Sequence, residues 1–396
     1  MKNRLNPLAI LIPCTIMAST VIACTDKAST NANESVIEQT ALDSATVLVV
    51  DSTDYRFDSL PDAPTMLVYN DSILIATNRY TEYGEFIISL YDIKNRLNHL
   101  ADYILRGSDT DEMVACGIKV IGDELFVNDS YYTRRYCTID LKALPKADEL
   151  HLLQSGIEET GVAIIPFHDG LLVENPQCYS NESAGIHNDV PRLLYYENGQ
   201  CLTPQEDVTF RVADVNTGAS LHGSATHQRV CFVSHGQPIV EFYNDSLQLV
   251  KRLIFPTDYT PEIYIHAPKV TMRQRRNHND DGAGIRAKFD NTQRVVGAGP
   301  SLHAFLCSAA DEEHIYLVYC GKMFGFDFHT YPTEIIVLDW DGNITDTYQF
   351  NRWIAAISPS STTGEFYLTV YADDSHESAR TKLIKVIPQQ SIDTDI

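Results

Sequence analysis

Asp123-Glu-Leu-Phe-Val127, followed by Tyr136-Cys-Thr-Ile-Asp140, decides the fold. Each piece is a short apolar strand bounded by polar turn chemistry, which is the pattern of a β-hairpin. The first piece recurs along the chain. Its other copies are Asp71-Ser-Ile-Leu-Ile75, Asp169-Gly-Leu-Leu-Val173, Gln228-Arg-Val-Cys-Phe-Val233, Glu312-Glu-His-Ile-Tyr-Leu-Val318 and Gly364-Glu-Phe-Tyr-Leu-Thr-Val370. Each copy has its own second strand: Ile87–Asp92, Leu193–Gly199, Ile239–Asp245, Ile335–Gly342 and Lys382–Ile387. A weaker apolar segment precedes most copies, at Thr65–Tyr69, Gly117–Ile121, Val162–Phe167 and Trp353–Ile357, and a further one often follows, as at Leu249–Phe255.

The unit is therefore strand, turn, strand, connection, strand, turn, strand. Copies start at 71, 123, 169, 228, 312 and 364. A spacing of roughly 40–50 residues per four-stranded unit is the propeller period. A four-stranded sheet that is apolar on both sides cannot bury itself, and radial stacking of such sheets covers the faces and leaves only short edges. A two-layer sandwich gives shorter, less regular repeats. The expectation is an all-β chain, a six-bladed β-propeller of four-stranded antiparallel blades over residues 45–388. The strand Ala45–Val50, without a neighbour in sequence, is expected to join the last blade beside residues 364–387 and close the ring. Residues 389–396 read as a polar tail.

The N-terminus is of another kind. Lys2 and Arg4 precede an interrupted apolar stretch, Leu8–Ile22, too short to span a bilayer, and the stretch ends Val21-Ile22-Ala23-Cys24. This is a secretory signal over residues 1–23 with the pattern of a lipobox, so Cys24 is the expected lipidation site. Such a protein is anchored to the membrane by lipid only, with the outer membrane favoured because Thr25 follows the cysteine. Residues 24–44 are small and polar and read as a flexible tether.

The chain carries 53 acidic and 30 basic residues, a net charge of -23. That field repels nucleic acid and anionic lipid headgroups. Of nine cysteines, seven follow Cys24, and none forms a CxxC pair. Most sit within apolar strand-like runs, such as Cys231 in Arg229–Val233, and read as small buried hydrophobes.

The lipobox and tether, the six repeats over residues 45–388, and the segment Tyr103-Ile-Leu-Arg-Gly-Ser-Asp-Thr-Asp-Glu-Met113 together resemble the TolB-like six-bladed propeller lipoproteins of Bacteroides-type bacteria. The family's Gly-rich loop is reduced here to Gly107 and Glu112-Met113. The resemblance implies fold and location and says little of activity.

Within the interval from 228 to 312 lies an insertion, about residues 267–300. It carries Lys269, Arg273, Arg275, Arg276, Arg286, Lys288 and Arg294 in an otherwise acidic chain. Arg273, Arg275, Arg276, Arg286 and Lys288 are the candidate binding loop, facing an anionic ligand, a partner or the protein's own acidic rim. His222 and His227 stand five apart before a core strand, but two imidazoles without a third ligand make a weak metal site, and none is expected. The aspartates at the repeat turns read as turn formers that bond their own backbone. No G-x-S-x-G elbow, P-loop, G-x-G-x-x-G, H-E-x-x-H or EF-hand loop occurs, so no cofactor and no catalytic residue is assigned.

Two functions remain. The first is a non-catalytic binding or scaffolding propeller of the envelope, its partner a protein or carbohydrate. The second is a hydrolase or lyase acting on a glycan or lactone-like substrate at the central channel. A channel plugged by apolar side chains favours binding, whereas converging His, Asp, Glu or Arg at a mouth with a metal favours an enzyme.

Overall fold

The computed structural model describes residues 33–42, 45–51, 65–77, 82–130, 132–157, 163–175, 192–203, 219–235, 238–256, 270–275, 284–289, 292–293, 302–323, 333–371 and 381–389. The signal, Cys24 and the last residues of the tail lie outside them. The described chain is all-β, relieved by short 3-10 turns at Gln39–Ala41 and Ala147–Glu149. Among the described residues no helix is long and apolar enough to cross a membrane.

The strands fall into sheets that follow one another along the chain. The first holds residues 65–113, the second 117–154, the third 164–201 and the fourth 219–254. An eight-stranded sheet has two halves, 302–350 and 354–388. In the first four and in each half, consecutive strands pair antiparallel, starting from the most N-terminal strand of the group, except that the short Glu112–Met113 runs parallel to Leu105–Arg106. The six repeat copies are the second strands of these groups, for example Glu124–Asp129, Arg229–Ser234 and Phe366–Tyr371.

Side-chain alternation explains why these strands are apolar without interruption. Successive residues point to opposite faces, and here both faces are buried. Leu125 and Val127 pack toward the first sheet, with Ile75, Ile88 and Leu90. Phe126, between them, packs toward the third, with Leu171 and Val173. Leu172 turns the other way, to Val230 and Phe232 of the fourth sheet. Cys231 and Val233 join Leu317 and Ile336 of the next sheet. Tyr316 and Val318 meet Phe366 and Leu368. Finally Tyr367 and Leu383 pack on Met66, Val68 and Leu74 of the first sheet. Each buried Phe or Leu stabilises the fold by about 1.5–3 kcal/mol, so the apolar clusters between sheets are the main cohesion.

Cys137 and Cys231 carry free thiols within these clusters, and burial pushes Cys137 up to about 12 and Cys231 up as well. Cys201 is exposed.

The segment read as a flexible tether is ordered over its second half. Asn33–Val36 pairs parallel with Leu249–Ile254 at the edge of the fourth sheet. Leu42 is 1 % exposed and packs among Phe255, Phe305 and Trp340. Thr46–Val50 then lies between the two halves of the eight-stranded sheet: Thr46 and Val47 run parallel to Tyr348 and Gln349, and Leu48, Val49 and Val50 pair antiparallel with Pro388, Ile387 and Val386. Polar composition had marked residues 24–44 as free. Edge pairing through the backbone needs no apolar pattern, and the single buried anchor, Leu42, is too little periodicity to read.

Gly107 ends the long strand Asn98–Arg106, and a Cβ there would sit 1.7 Å from Glu112 Oε2. The atom it would meet is the movable end of a side chain, and the turn that follows folds back so that Glu112 and Met113 pair parallel with Leu105 and Arg106.

In the insertion, Val270–Arg275 pairs antiparallel with Gly284–Phe289, which pairs with Thr292–Gln293. Arg273 and Arg286 are register partners. For Arg273, Arg275, Arg286 and Lys288 the description ends at the backbone, and Arg276 lies outside the described residues.

Candidate functional site

The first strands of the sheets converge on a cavity of about 520 Å³. Its wall comes from residues 65–70 of the first sheet, 118–123 of the second, 220, 222 and 235 of the fourth, and 306–312 and 355–359 of the two halves of the last. Residues so far apart in sequence meet because the first, second and fourth sheets and both halves of the last present their first strands to the same space, to which the described third sheet adds no lining residue.

The wall is mixed. Leu67, Ile118, Val120, Leu306 and Ile357 give apolar surface, and Lys119, Ser220, His222, His235, Cys307, Ser308 and Ser358 give polar groups. Lys119 Nζ donates to the carbonyl of Leu221, so a side chain of the second sheet reaches the fourth. As a wall residue it keeps a little surface, yet the protein closes around its ammonium. Burial pulls the Lys119 pKa down to about 8, against a small opposing influence from Cys231.

His222 is 3 % exposed, and its Nε2 lies 2.7 Å from Ser308 Oγ. Burial, with Lys119 and then His235 adding to it, holds its pKa well below the usual histidine value. At neutral pH this imidazole is uncharged. A second pair stands beside it: Ser220 Oγ lies 2.9 Å from His235 Nε2. Ser358 Oγ accepts from the Val68 N–H at 2.9 Å, and burial pushes the Cys307 thiol up.

The carboxylates at the ends of these strands are engaged. Asp123 accepts from Tyr69 Oη at 2.5 Å and from Lys142 Nζ, which hold its pKa down. Burial and Asp123 in turn push Tyr69 up to about 12. Asp311 caps its own turn, accepting from the N–H groups of Glu313 and His314, and also from Tyr316 Oη at 2.5 Å. Glu312 Oε2 accepts from Thr226 Oγ1. The turn-former reading thus holds at Asp311, and at Asp92, Asp140 and Asp339. Asp71 and Asp123 instead bind side chains of a neighbouring sheet.

His222 and His227 part company. His222 is in the wall, while His227 stacks on Trp340 at 6.2 Å between ring centroids. Among the described residues no group of three His, Cys, Asp or Glu is placed to hold a metal. The wall is neither an apolar plug nor a convergence of acids.

Sequence reading singled out His222 but for a metal, and it passed over Lys119, Ser220, His235 and Ser308. Lys119 did carry a signal, as the one charged residue inside the apolar strand Gly117–Ile121.

No family model matches the chain, and no curated protein matches it. Among solved structures it is similar to a member of the DUF4221 family from Bacteroides vulgatus, at 9 % identity and a TM-score of 0.48 over 87 % of this chain and 97 % of that one. It is also similar to a protein of Bacteroides fragilis described as exported, at 11 % identity and a TM-score of 0.47 over 87 % and 94 % of the chains. Virginiamycin B lyase from Staphylococcus aureus follows at 10 % identity and 0.38, over 86 % and 98 %. At such identities these likenesses leave the activity open.

Proposed function

We propose that this chain is a lipid-anchored envelope protein of the six-bladed β-propeller kind, of TolB-like type, and that it binds a small polar ligand in its central channel. Six blades account for the six clusters of apolar side chains, each shared by two sheets, the last shared by Tyr367 and Leu383 with Met66, Val68 and Leu74. Ring closure gives Thr46–Val50 its place as the outermost strand of the final blade. The lipid anchor rests on the signal ending in Ala23-Cys24, and Cys24→Ala is expected to abolish incorporation of labelled palmitate.

The observation that carries the binding reading is a polar wall on a cavity of about 520 Å³. Ligand pockets are commonly 300–1,000 Å³, mostly apolar with a few convergent polar groups. A propeller that used only its outer surface would have no need of buried Lys119 and His222. The test is thermal: the full chain is melted with a panel of sugars, amino acids and carboxylates, beside Thr65→Trp, which sets a large ring into the channel. A ligand that raises Tm in the wild type and not in Thr65→Trp supports the site; one that raises both equally places binding elsewhere.

A second reading, a hydrolase, has one observation in its favour. The His222–Ser308 distance of 2.7 Å is that of a base and its nucleophile. Its burial makes His222 a weak base, and no carboxylate among the described residues bonds it as an orienting third member. Labelling of Ser308 by a fluorophosphonate would favour this reading over simple binding.

A further inference from the structure

We infer that the wall at Lys119, His222 and Ser308 is an anion site, which takes the carboxylate or phosphate group of the channel's ligand. The inference rests on the channel reading above and names the class of ligand.

The first ground is an absent counter-charge. Among the described residues Arg192 and Arg252 share Glu241, Lys142 has Asp123 and Lys385 has Glu365. No carboxylate among the described residues stands within ion-pair distance of Lys119, and its bond is to a neutral backbone carbonyl. This occurs in a chain with a net charge of -23, where carboxylates are abundant. An ammonium has three donors; one is engaged by Leu221, and the side chain lines the cavity.

The second ground is what surrounds it. The titratable groups that act on Lys119 or are acted on by it are His222 and Cys231, and His235 and Cys307 line the same cavity. None is an acid of ordinary carboxylate strength. Glu241, the buried acid of that sheet, is occupied by Arg192, Arg252 and Tyr243. Ser220 and Ser308 each bring a hydroxyl whose proton can rotate from its histidine toward a guest. The groups beside Lys119 therefore offer a cation and neutral donors, and the carboxylates that line the same cavity, Asp123, Asp311 and Glu312, are bonded to Lys142 and Tyr69, to Tyr316 and to Thr226. In so dry a setting an unpaired ammonium is unfavourable, and an entering anion is held more strongly than it would be in water.

The third ground is the rim. Asp123 and Asp311, nearest the ends of the inner strands, are bonded to Lys142 and Tyr69 and to Tyr316. They are not available to fold inward as partners for Lys119.

The experiment is calorimetric titration of the full chain with acetate, inorganic phosphate and methyl phosphate, with acetamide as the neutral control. Lys119→Met and Lys119→Arg are titrated in parallel. In a second measurement Lys119 is acetylated with acetic anhydride across pH, with and without each anion, and followed by mass spectrometry. The expected result is that one class of anion binds and acetamide does not. Affinity falls about tenfold or more in Lys119→Met, the scale of one lost charge-assisted hydrogen bond, and Lys119→Arg retains part of it. The bound anion also raises the apparent pKa of Lys119, slowing its acetylation near pH 8. Preference for acetate or for the phosphates tells carboxylate from phosphate ligands. Unchanged affinity in Lys119→Met, equal binding of acetamide, or no protection of Lys119 at concentrations that saturate a millimolar site overturns the inference. A neutral compound whose binding is lost in Thr65→Trp, with no protection of Lys119 by any anion, keeps the channel reading and removes only the anion.

Discussion

Asp71, in the turn after the first strand of the first sheet, accepts hydrogen bonds from the Ser361 backbone N–H at 3.0 Å and from its hydroxyl, although 290 residues separate the two. The contact is one stitch in a polar seam. Val68 N–H donates to Ser358 Oγ at 2.9 Å, and Thr369 Oγ1 donates to the Met66 carbonyl at 2.8 Å. The seam runs over the apolar cluster of Met66, Val68, Leu74, Tyr367 and Leu383. These side chains tie the first sheet to residues 354–388, the half of the last sheet farthest from it in sequence.

Ser358→Ala tests the seam. It removes the acceptor of a buried N–H and leaves that donor unsatisfied, which costs about 1–3 kcal/mol. The expected readout is a lower urea midpoint with an unchanged m-value. Asp71→Ala, nearer the surface, is expected to lose less than about 1 kcal/mol. If the first and last sheets were independent, Ser358→Ala would fall within the roughly 0.5 kcal/mol scatter of ordinary substitutions.

Glu241 joins the third and fourth sheets. It is fully buried, with Arg192 Nε 2.7 Å from one oxygen, Arg252 Nη2 2.7 Å from the other, and Tyr243 Oη donating at 2.6 Å. Burial alone would raise its pKa, but the two guanidiniums outweigh burial and hold it below the ordinary value of 4.5. A carboxyl whose folded pKa is depressed contributes stability that is present above about pH 4.5 and is lost as pH falls through the folded value. Glu241→Gln leaves two buried cations short of their counter-ion and is expected to cost about 3–5 kcal/mol at neutral pH. Its penalty should shrink on acidification, as the wild type loses the same contribution. Chemical unfolding of both proteins between pH 7 and pH 3 checks the size and the sign.

The sheet order was largely legible and the site was not, for one physical reason. Runs buried on both faces, such as Val230–Val233 and Ile315–Cys320, are apolar throughout and stand out against polar turns. The innermost strands face a polar cavity on one side, so their apolar runs are broken. Ala219–Ser224 and Leu302–Ala310 went unrecognised as strands for this reason: Ser220 and His222 interrupt the first, and Ser308 lies within the second. The residues that hid the strands are the ones that make the wall. The basic insertion is visible because charge reads in one dimension, while a cavity assembled from five separate stretches of chain does not.

Lys119 makes a prediction about stability as well as binding. Its folded pKa of about 8 lies below the free value of 10.5, so the folded state holds that proton less tightly than the unfolded chain does. Below pH 8 the ammonium therefore disfavours folding, and the penalty is relieved as pH rises from about 8 toward 10.5. The difference corresponds to roughly 3 kcal/mol at most. Lys119→Met is expected to raise stability at pH 7 by about 1–3 kcal/mol, with the gain gone near pH 10.5. His222 acts on the acid side. Its depressed pKa gives stability that is present above about pH 6.5 and lost as pH falls below it. A stability profile of wild type, Lys119→Met and His222→Asn across pH 4–10 separates the two. No gain in Lys119→Met at neutral pH would mean that the ammonium is well solvated.

The N-terminal segment makes the last prediction. Asn33–Val36 lies along the fourth sheet, Leu42 packs between that sheet and the next, and Thr46–Val50 bridges the two halves of the last. The chain just after the expected anchor thus crosses the outer edges of three successive units. Among the described residues Leu42 is its one fully buried side chain before Leu48. Leu42→Ala empties a site among Phe255, Phe305 and Trp340, and a deletion of this kind costs about 2–5 kcal/mol. Leu42→Asp should go further and release the strap, because an unpaired carboxylate will not stay in that cluster. The expected readout is new protease cleavage between residues 33 and 45, with the rest of the domain still folded. Equal protease resistance in wild type and Leu42→Asp would mean that the segment does not depend on its anchor.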